Sequence, residues 1–256
     1  MSSVATIRQP ATLSSDWTDD SIWHERLARD RATADVNQSR AQKRISNTLL
    51  RRVIDANGAG FALTGSTARN RRTAISDLDF HVIGERPESR DLHDEIDVVA
   101  YDAPTLFEKL YSGDDYVQWT LRYGCILHDT GIFRQALTRI SQERLWPRPD
   151  TKFTRLPGQI ALARRLVEAG DQEGAQAEAR ATFTSAARAV LLRAGVFPLA
   201  RSELPDQLRQ LDLARLAEFL ERTIYREVPL EELAHSLQAI ESGGIAPLEV
   251  PPALSG

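Results

Sequence analysis

Cysteine and long apolar runs are scarce in this chain of 256 residues. Its single cysteine, Cys125, cannot form an internal disulfide, which fits a reducing cytoplasm. No apolar run approaches the roughly 18–20 residues of a membrane span, and the first residues contain no apolar stretch of signal-peptide type. We therefore expect a cytoplasmic protein that has no membrane partner, with Cys125 in its core.

The chain also lacks an excess of positive charge. Lys and Arg number 32 against 36 Asp and Glu, which gives a formal net charge of −4. This balance argues against a protein that coats nucleic acid by charge alone, although it is compatible with a local basic patch. The length allows one large domain or two modest ones, each with its own core.

The order of the predicted elements favours an α+β domain followed by an all-helical domain. Helical patterns at about 20–56, 105–123 and 131–145 accompany short apolar strands at 61–64, 78–83, 96–101 and 125–127. We interpret 146–150 as a linker because its two prolines, Pro147 and Pro149, cannot continue a helix. Every later segment has a helical pattern, and the first of these helices is expected at 159–169. The predicted domains are 18–146 and 151–242, with flexible tails at 1–17 and 243–256.

Three carboxylates are the candidate metal-ligating and catalytic residues. Asp77 and Asp79 alternate along a predicted strand, so that both project from one face. Two carboxylates in that arrangement repel each other unless a cation or a proton lies between them. Asp97 lies on the next strand, and its apolar neighbours favour it over the nearby Asp94 and Glu95. Carboxylates on adjacent strands supply the hard oxygen ligands that Mg²⁺ prefers.

A candidate phosphate-binding turn follows the first predicted strand at Gly65 and Ser66. Glycine lets the backbone approach a phosphate closely, and the following N–H groups and the Ser66 hydroxyl can donate to its oxygens. Arg69 lies in the same loop, where its charge can neutralise a triphosphate. We interpret the next two basic residues, Arg71 and Arg72, as solvated.

The order of these motifs resembles the DNA polymerase β-like nucleotidyltransferase superfamily. Gly65-Ser66 is followed after ten residues by an Asp-x-Asp motif and then by an Asp between apolar residues. The form Gly-Ser-x-Ala-Arg, with Ser directly before Asp-x-Asp, is most similar to the minimal bacterial branch, which includes kanamycin nucleotidyltransferase-like enzymes and HEPN-associated nucleotidyltransferases. The resemblance covers residues 61–129 in detail, and the helical half is similar to a HEPN-like bundle in outline only.

The resemblance implies a polymerase β-like domain with a small mixed sheet and assigns roles to individual residues. It places Gly65 and Ser66 on the nucleotide phosphates, Arg69 as the motif arginine, and Asp77, Asp79 and Asp97 as ligands of two Mg²⁺ ions, with Mn²⁺ as an alternative. Asn70 stands where the branch usually has Gly. Because Asn tolerates the left-handed conformation better than other non-Gly residues, we expect the turn to be preserved.

The resemblance also implies a metal-dependent nucleotidyltransferase, which transfers a nucleoside monophosphate from an NTP to a hydroxyl. We expect AMP from ATP as the transferred group and a small molecule such as an aminoglycoside as the acceptor, bound between the two domains. The alternatives are adenylylation of a partner protein in a toxin–antitoxin system and a nucleotide-binding interaction protein without turnover. Nucleic acid is a possible partner but not the favoured one. The acceptor's identity, the NTP used, the general base and the oligomeric state stay open.

Three further features have simpler structural interpretations. His81 shares a predicted strand face with Asp79, and we interpret it as a structural histidine. Arg122 and His128 have the spacing of a HEPN ribonuclease motif, but they lie in the strand region, so we interpret this spacing as coincidence. The stretch from Arg40 to Arg52 has five basic residues and no acid. We place four of them beside the apolar face of a helix, a pattern typical of a solvated surface. The alternative is a contact to RNA, to a triphosphate or to a partner, and whether this stretch binds anything stays open.

Overall fold

The computed structural model describes residues 17–72, 76–92 and 96–244. These residues divide between Pro147 and Arg148 into two compact units. The predicted tails lie outside the described residues, apart from Trp17 and residues 243–244. Trp17 is a correction to the first tail, because its ring is buried and makes an edge contact with the ring of Trp23, with 6.0 Å between the ring centroids.

The first unit contains helices and a mixed sheet. Its helices are α1 (Asp20–Asn37), α2 (Arg40–Asp55), α3 (Gly65–Ala68), α4 (Ala103–Ser112), α5 (Asp115–Tyr123) and α6 (Ile132–Gln142), and its strands are β1 (Gly60–Leu63), β2 (Leu78–Ile83), β3 (Ile96–Tyr101) and β4 (Cys125–Asp129). The strand order is β3-β2-β1-β4, in which β2 and β3 are parallel and β1 is antiparallel to both β2 and β4. The predicted small mixed sheet is therefore confirmed.

Both faces of the sheet are covered by apolar side chains, because successive residues of a strand point to opposite faces. One face pairs Phe61 and Phe80, whose rings stack with centroids 5.0 Å apart, and it packs against Leu49 and Val53 of α2. The other face packs against α4, α5 and α6; its core includes Ala62, Ile83, Ile126, Leu106, Val117 and Phe133. The side chains at positions 79 and 81 point to this second face.

A buried ion pair attaches α1 to the rest of the first unit. Arg26 Nε donates to Asp30 Oδ2 at 2.9 Å, and both side chains are less than a tenth exposed. The second Asp30 contact is the backbone N–H of Ile126 in β4, at 3.1 Å. Arg26 Nη2 donates to the carbonyl of Leu121 at the end of α5, also at 2.9 Å. The pair therefore joins one helix to both a strand and a second helix.

Helices are the only regular secondary structure among the described residues of the second unit. It comprises α7 (Pro149–Glu168), α8 (Gln172–Arg193), a 3-10 turn (Arg201–Glu203), α9 (Leu204–Arg209), α10 (Ala214–Tyr225), α11 (Leu230–Ala239) and a final π-helical turn (Ile240–Gly244). Its core surrounds Phe183 of α8. None of the helices in the described part of the chain has the length and apolarity needed to cross a membrane.

The start of α7 corrects the sequence-based linker and helix bounds. We predicted a linker through residue 150 and a helix from 159, whereas α7 begins at Pro149. Proline is favoured in the first turn of a helix, where its missing N–H would have no intrahelical partner. A second proline, Pro157, lies inside α7, where it removes one backbone hydrogen bond without ending the helix. A proline in the sequence therefore does not by itself show where a helix ends, because it can also begin a helix or lie within one.

We predict that Asp30→Ala strongly destabilises the first unit, because Arg26 would be left as a buried charge without its carboxylate. The expected loss is about 3–5 kcal/mol of the free energy of unfolding. All four tryptophans (Trp17, Trp23, Trp119 and Trp146) lie in this unit, so tryptophan fluorescence during urea unfolding reports on it.

Glu143→Ala is the matched control for Asp30→Ala, because Glu143 forms an exposed ion pair with Arg139 at the same i,i+4 spacing. Its expected cost is below about 1 kcal/mol. Equal losses in the two variants would show that burial of the Arg26 pair contributes nothing.

Candidate active site

The turn after β1 is held against β2 by a backbone hydrogen bond. The N–H of Thr64 donates to the carbonyl of Asp79 at 2.9 Å, which continues the antiparallel pairing by one residue. Gly65 follows with a φ of 64°, in the left-handed region, and begins the short helix α3. Glycine adopts this conformation without the steric cost that a side chain would bring.

Gly65 lies directly against the carboxylate of Asp79. A Cβ added to Gly65 would lie 1.8 Å from Asp79 Oδ2 and 2.7 Å from its Cγ. Only glycine fits at this position while Asp79 keeps its side-chain conformation. The predicted phosphate-binding turn and a predicted metal ligand are therefore in contact, although Gly65 and Asp79 are 14 positions apart in the sequence.

Asp79 and Asp97 lie directly opposite each other on the parallel strands β2 and β3. Residues paired in this way point to the same face of the sheet, and neighbouring strands are about 4.8 Å apart. Asp79 is half-buried and Asp97 is exposed. Asp77 is exposed and immediately precedes β2, which begins at Leu78. Of the three predicted ligands, two are thus neighbours across the sheet, and the third lies just outside it. The alternatives Asp94 and Glu95 lie outside the described residues.

The number of carboxylates at the site indicates how a metal ion could be bound there. Across residues 17–72, 76–92 and 96–244, no three His, Cys, Asp or Glu side chains form a group able to hold a metal ion. Mg²⁺, however, is usually bound through one or two carboxylates together with water and substrate phosphates. Two adjacent carboxylates beside the Gly65 turn fit that mode, whereas a cage built from protein ligands alone is not present among these residues.

Tyr116 of α5 borders the site and was not identified from the sequence. Its hydroxyl lies 3.4 Å from the hydroxyl of Thr64. Burial raises the pKa of the Tyr116 phenol, the hydrogen bond to Thr64 lowers it, and the negative charges of Asp79 and Asp97 raise it further. The phenol therefore stays protonated and able to donate a hydrogen bond beside the two carboxylates. Its helix was predicted, but no pattern in the sequence indicates which sheet residues that helix contacts.

His81 is a buried structural residue, as the sequence interpretation held. Its side chain is fully buried, Nδ1 lies 3.1 Å from the Thr120 hydroxyl, and three aromatic rings, Tyr101, Tyr116 and Phe133, surround it. Burial, followed by the positive charge of Lys109, lowers the pKa of His81 to about 3. The imidazole is thus neutral, and it lies on the same sheet face as Asp79.

The remaining residues of the predicted turn lie beside Gly65. Ser66 is half-buried within α3, and the guanidinium of Arg69 lies over the ring of Tyr123, 5.0 Å from its centroid. Asn70 adopts a φ of 53°, so the expectation that Asn would preserve the left-handed turn is confirmed. The N–H of Arg71 then donates to the Ser66 carbonyl at 2.8 Å, which closes the loop.

The residues with HEPN-type spacing belong to separate elements of the first unit. Arg122 lies in α5, where Nη2 donates to Gln118 Oε1 at 3.2 Å and the guanidinium lies over the ring of Trp146. His128 lies in β4 and donates from Nε2 to the Gly58 carbonyl at 3.1 Å. These contacts are those expected of residues that stabilise the fold.

A distant structural likeness is found among the comparisons with known proteins. No family model matches the chain, and no curated protein matches it. Among solved structures, the chain is similar to the crystal structure of a nucleotidyltransferase-like protein from Exiguobacterium sibiricum 255-15, with 20% sequence identity and a TM-score of 0.35. The match covers 73% of this chain and 71% of that chain. A likeness at this level carries neither fold nor function over, so the functional argument depends on this chain's own residues.

We predict that the contact between Gly65 and Asp79 is measurable as an energetic coupling. Gly65→Ala costs about 1–2 kcal/mol through left-handed strain, and in addition it forces the Asp79 carboxylate to move. In an Asp79→Ala background only the strain remains, so a double-mutant cycle from urea unfolding should give a coupling of about 0.5–3 kcal/mol.

Gly170→Ala is the control for strain alone. Gly170 has a φ of 74°, and nothing lies within 4 Å of an added Cβ. Its cost should be the same with and without Asp79→Ala. The close contact would be contradicted if the coupling between positions 65 and 79 were no larger than the coupling between positions 170 and 79.

Proposed function

We propose that this chain is a metal-dependent nucleotidyltransferase of the DNA polymerase β-like superfamily, acting in the cytoplasm. It transfers a nucleoside monophosphate, AMP from ATP in the leading form of the proposal, to a hydroxyl of an acceptor. The observation that carries the proposal is the position of Asp79, which lies opposite Asp97 on the adjacent strand and directly against Gly65. Paired carboxylates beside a glycine turn suit a metal–triphosphate complex, because neighbouring negative charges repel each other unless a cation or a proton lies between them.

The triphosphate is bound in this proposal by the turn after β1. Gly65 has no side chain, so phosphate oxygens can approach the backbone. Ser66 supplies a hydroxyl donor, and Arg69 supplies positive charge from the end of the same loop. The Tyr116 phenol is protonated, and it offers a further donor close to the carboxylates.

Asp79 and Asp97 hold Mg²⁺ or Mn²⁺ in this proposal, and Asp77 joins them once a nucleotide is present. The bound ions supply charge neutralisation of the triphosphate and activation of the attacking hydroxyl. The protein's own contribution is to place the two carboxylates side by side through the backbone pairing of β2 with β3. This placement favours an in-line arrangement of the two reacting oxygens.

The acceptor in the leading hypothesis is a small molecule with a free hydroxyl, such as an aminoglycoside. The alternative acceptor is a hydroxyl on a partner protein, as in the toxin–antitoxin pairs of the minimal bacterial branch. In this proposal the helical unit corresponds to the HEPN-like bundle of that branch. Nucleotide binding without turnover is the third hypothesis. The intact carboxylate pair argues against it, because binding alone does not need two adjacent negative charges beside a triphosphate.

The proposal predicts Mg²⁺-dependent transfer of label from α-phosphate-labelled ATP to a component of a bacterial extract. Separation of the products by size distinguishes a labelled small molecule from a labelled protein. One pyrophosphate should be released for each AMP that is transferred. Release in Mg²⁺ should fall by more than about 100-fold in Asp79→Asn and Asp97→Asn, because loss of a direct ligand exceeds the roughly 10–100-fold effect of outer-shell partners.

Asp55→Asn is the matched control, since Asp55 is an exposed carboxylate of the same unit. It should retain full activity. Unchanged pyrophosphate release in Asp79→Asn and Asp97→Asn would exclude the carboxylate pair from the reaction. ATP binding by the wild-type protein with no release or labelling under any condition would favour the interaction protein without turnover.

A further inference from the structure

The outward face of α2 has three arginines in a line. Arg40, Arg44 and Arg51 are all exposed. Because each helical residue advances about 100° around the axis, the three lie within about 40° of one another and extend along about 16 Å of the helix. The buried residues Leu49 and Val53 lie on the opposite side. This arrangement corrects the sequence-based interpretation, in which four basic residues flank the apolar face.

These three arginines differ from the other basic residues of α2 in having no carboxylate partner. Lys43 pairs with Asp35 at 3.7 Å, and Arg52 pairs with Asp91 at 2.6 Å. Within residues 17–72, 76–92 and 96–244, no ion pair reaches Arg40, Arg44 or Arg51, and Asp55, one turn beyond Arg51, makes none with it. The chain as a whole has a net charge of −4, so these three arginines form a positively charged surface on an acidic protein.

The stability of α2 does not account for this arrangement. Arg40 occupies the first helical position and Arg44 lies one turn later, at the end where the helix dipole is positive and where α2 has no acidic residue. A positive charge in the first turn is unfavourable, and like charges at i,i+4 spacing repel each other. The helix start is stabilised instead by the reciprocal hydrogen bonds of Ser39 and Gln42. The positive charges at the start of α2 therefore oppose the dipole of their own helix.

We propose that this face of α2, formed by Arg40, Arg44 and Arg51, binds the sugar–phosphate backbone of a nucleic acid. A nucleic-acid strand presents a phosphate about every 3.4 Å along the axis, so a line of about 16 Å meets several phosphates at once. Guanidinium groups match phosphate geometry with two parallel hydrogen bonds. The acidic remainder of the chain repels the same ligand, which confines the contact to this face.

The position of the face distinguishes it from the proposed reaction centre and from a membrane-binding helix. α2 packs on the sheet face that contains Phe61 and Phe80, whereas Asp79 and Asp97 point to the other face. The face is therefore a docking surface, separate from the carboxylates. A helix that binds membranes presents its apolar side to lipid, but the apolar side of α2 is buried in the core.

The test is fluorescence anisotropy with labelled single-stranded RNA, single-stranded DNA and an RNA hairpin, without nucleotide or divalent metal. Each phosphate contact adds about −0.7 to −0.9 to the slope of log affinity against log salt, so three contacts predict a slope of about −2 to −3. Binding should then weaken about 20- to 40-fold between about 50 and 200 mM salt. The RNA and DNA arms identify which nucleic acid is preferred.

The variant R40Q/R44Q/R51Q should lose this salt dependence while its melting temperature stays unchanged or rises. R155Q/R165Q/R226Q removes the same charge from exposed arginines of the second unit and should bind like the wild type. A wild-type slope near zero, equal losses in the two triple variants, or binding of polyglutamate in place of nucleic acid would overturn the proposal. Because the assay contains no metal or NTP, these outcomes are independent of the proposed transfer reaction.

Discussion

The antiparallel pairing of β1 with β2 is the constraint on which the candidate site depends. Leu63 lies opposite Phe80, so the next N–H, that of Thr64, reaches the Asp79 carbonyl, and Gly65 follows against the Asp79 carboxylate. A slip of one residue would turn Asp79 into the apolar core and bring Phe80 to the site. The apolar layers on both faces of the sheet therefore hold the register that brings the turn and the carboxylate together.

The sequence was sufficient to predict most elements of the fold, because their signals are local. β2 and β3 were predicted at their observed bounds, since each is a short run of mostly apolar residues between polar segments. The start of α7 was misplaced because Pro149 begins a helix as readily as it ends one. Trp17 was assigned to a tail because its contacts with Trp23 and Arg26 form only when the segment before α1 packs against that helix.

The candidate site was predictable as a set of residues but not as an arrangement. The motif spacing identified Gly65, Asp79 and Asp97, yet no spacing indicates that β2 and β3 pair in the register that makes two aspartates direct neighbours. Tyr116 was missed for the same reason, since its role depends on a helix-to-sheet contact. The sequence showed that α2 is rich in basic residues. Only the folded chain shows that three of its arginines form no ion pair with a carboxylate among the described residues.

The central claim is that Asp79 and Asp97 act as one unit that holds a divalent cation together with the nucleotide. The most direct test is a double-mutant cycle on Mn²⁺ affinity, measured by electron paramagnetic resonance in the presence of a non-hydrolysable ATP analogue. If the two carboxylates share one ion, each single change to Asn should remove most of the affinity, and the double change should cost little more than either. Fully additive losses, or single variants that bind Mn²⁺ as the wild type does, would contradict the account.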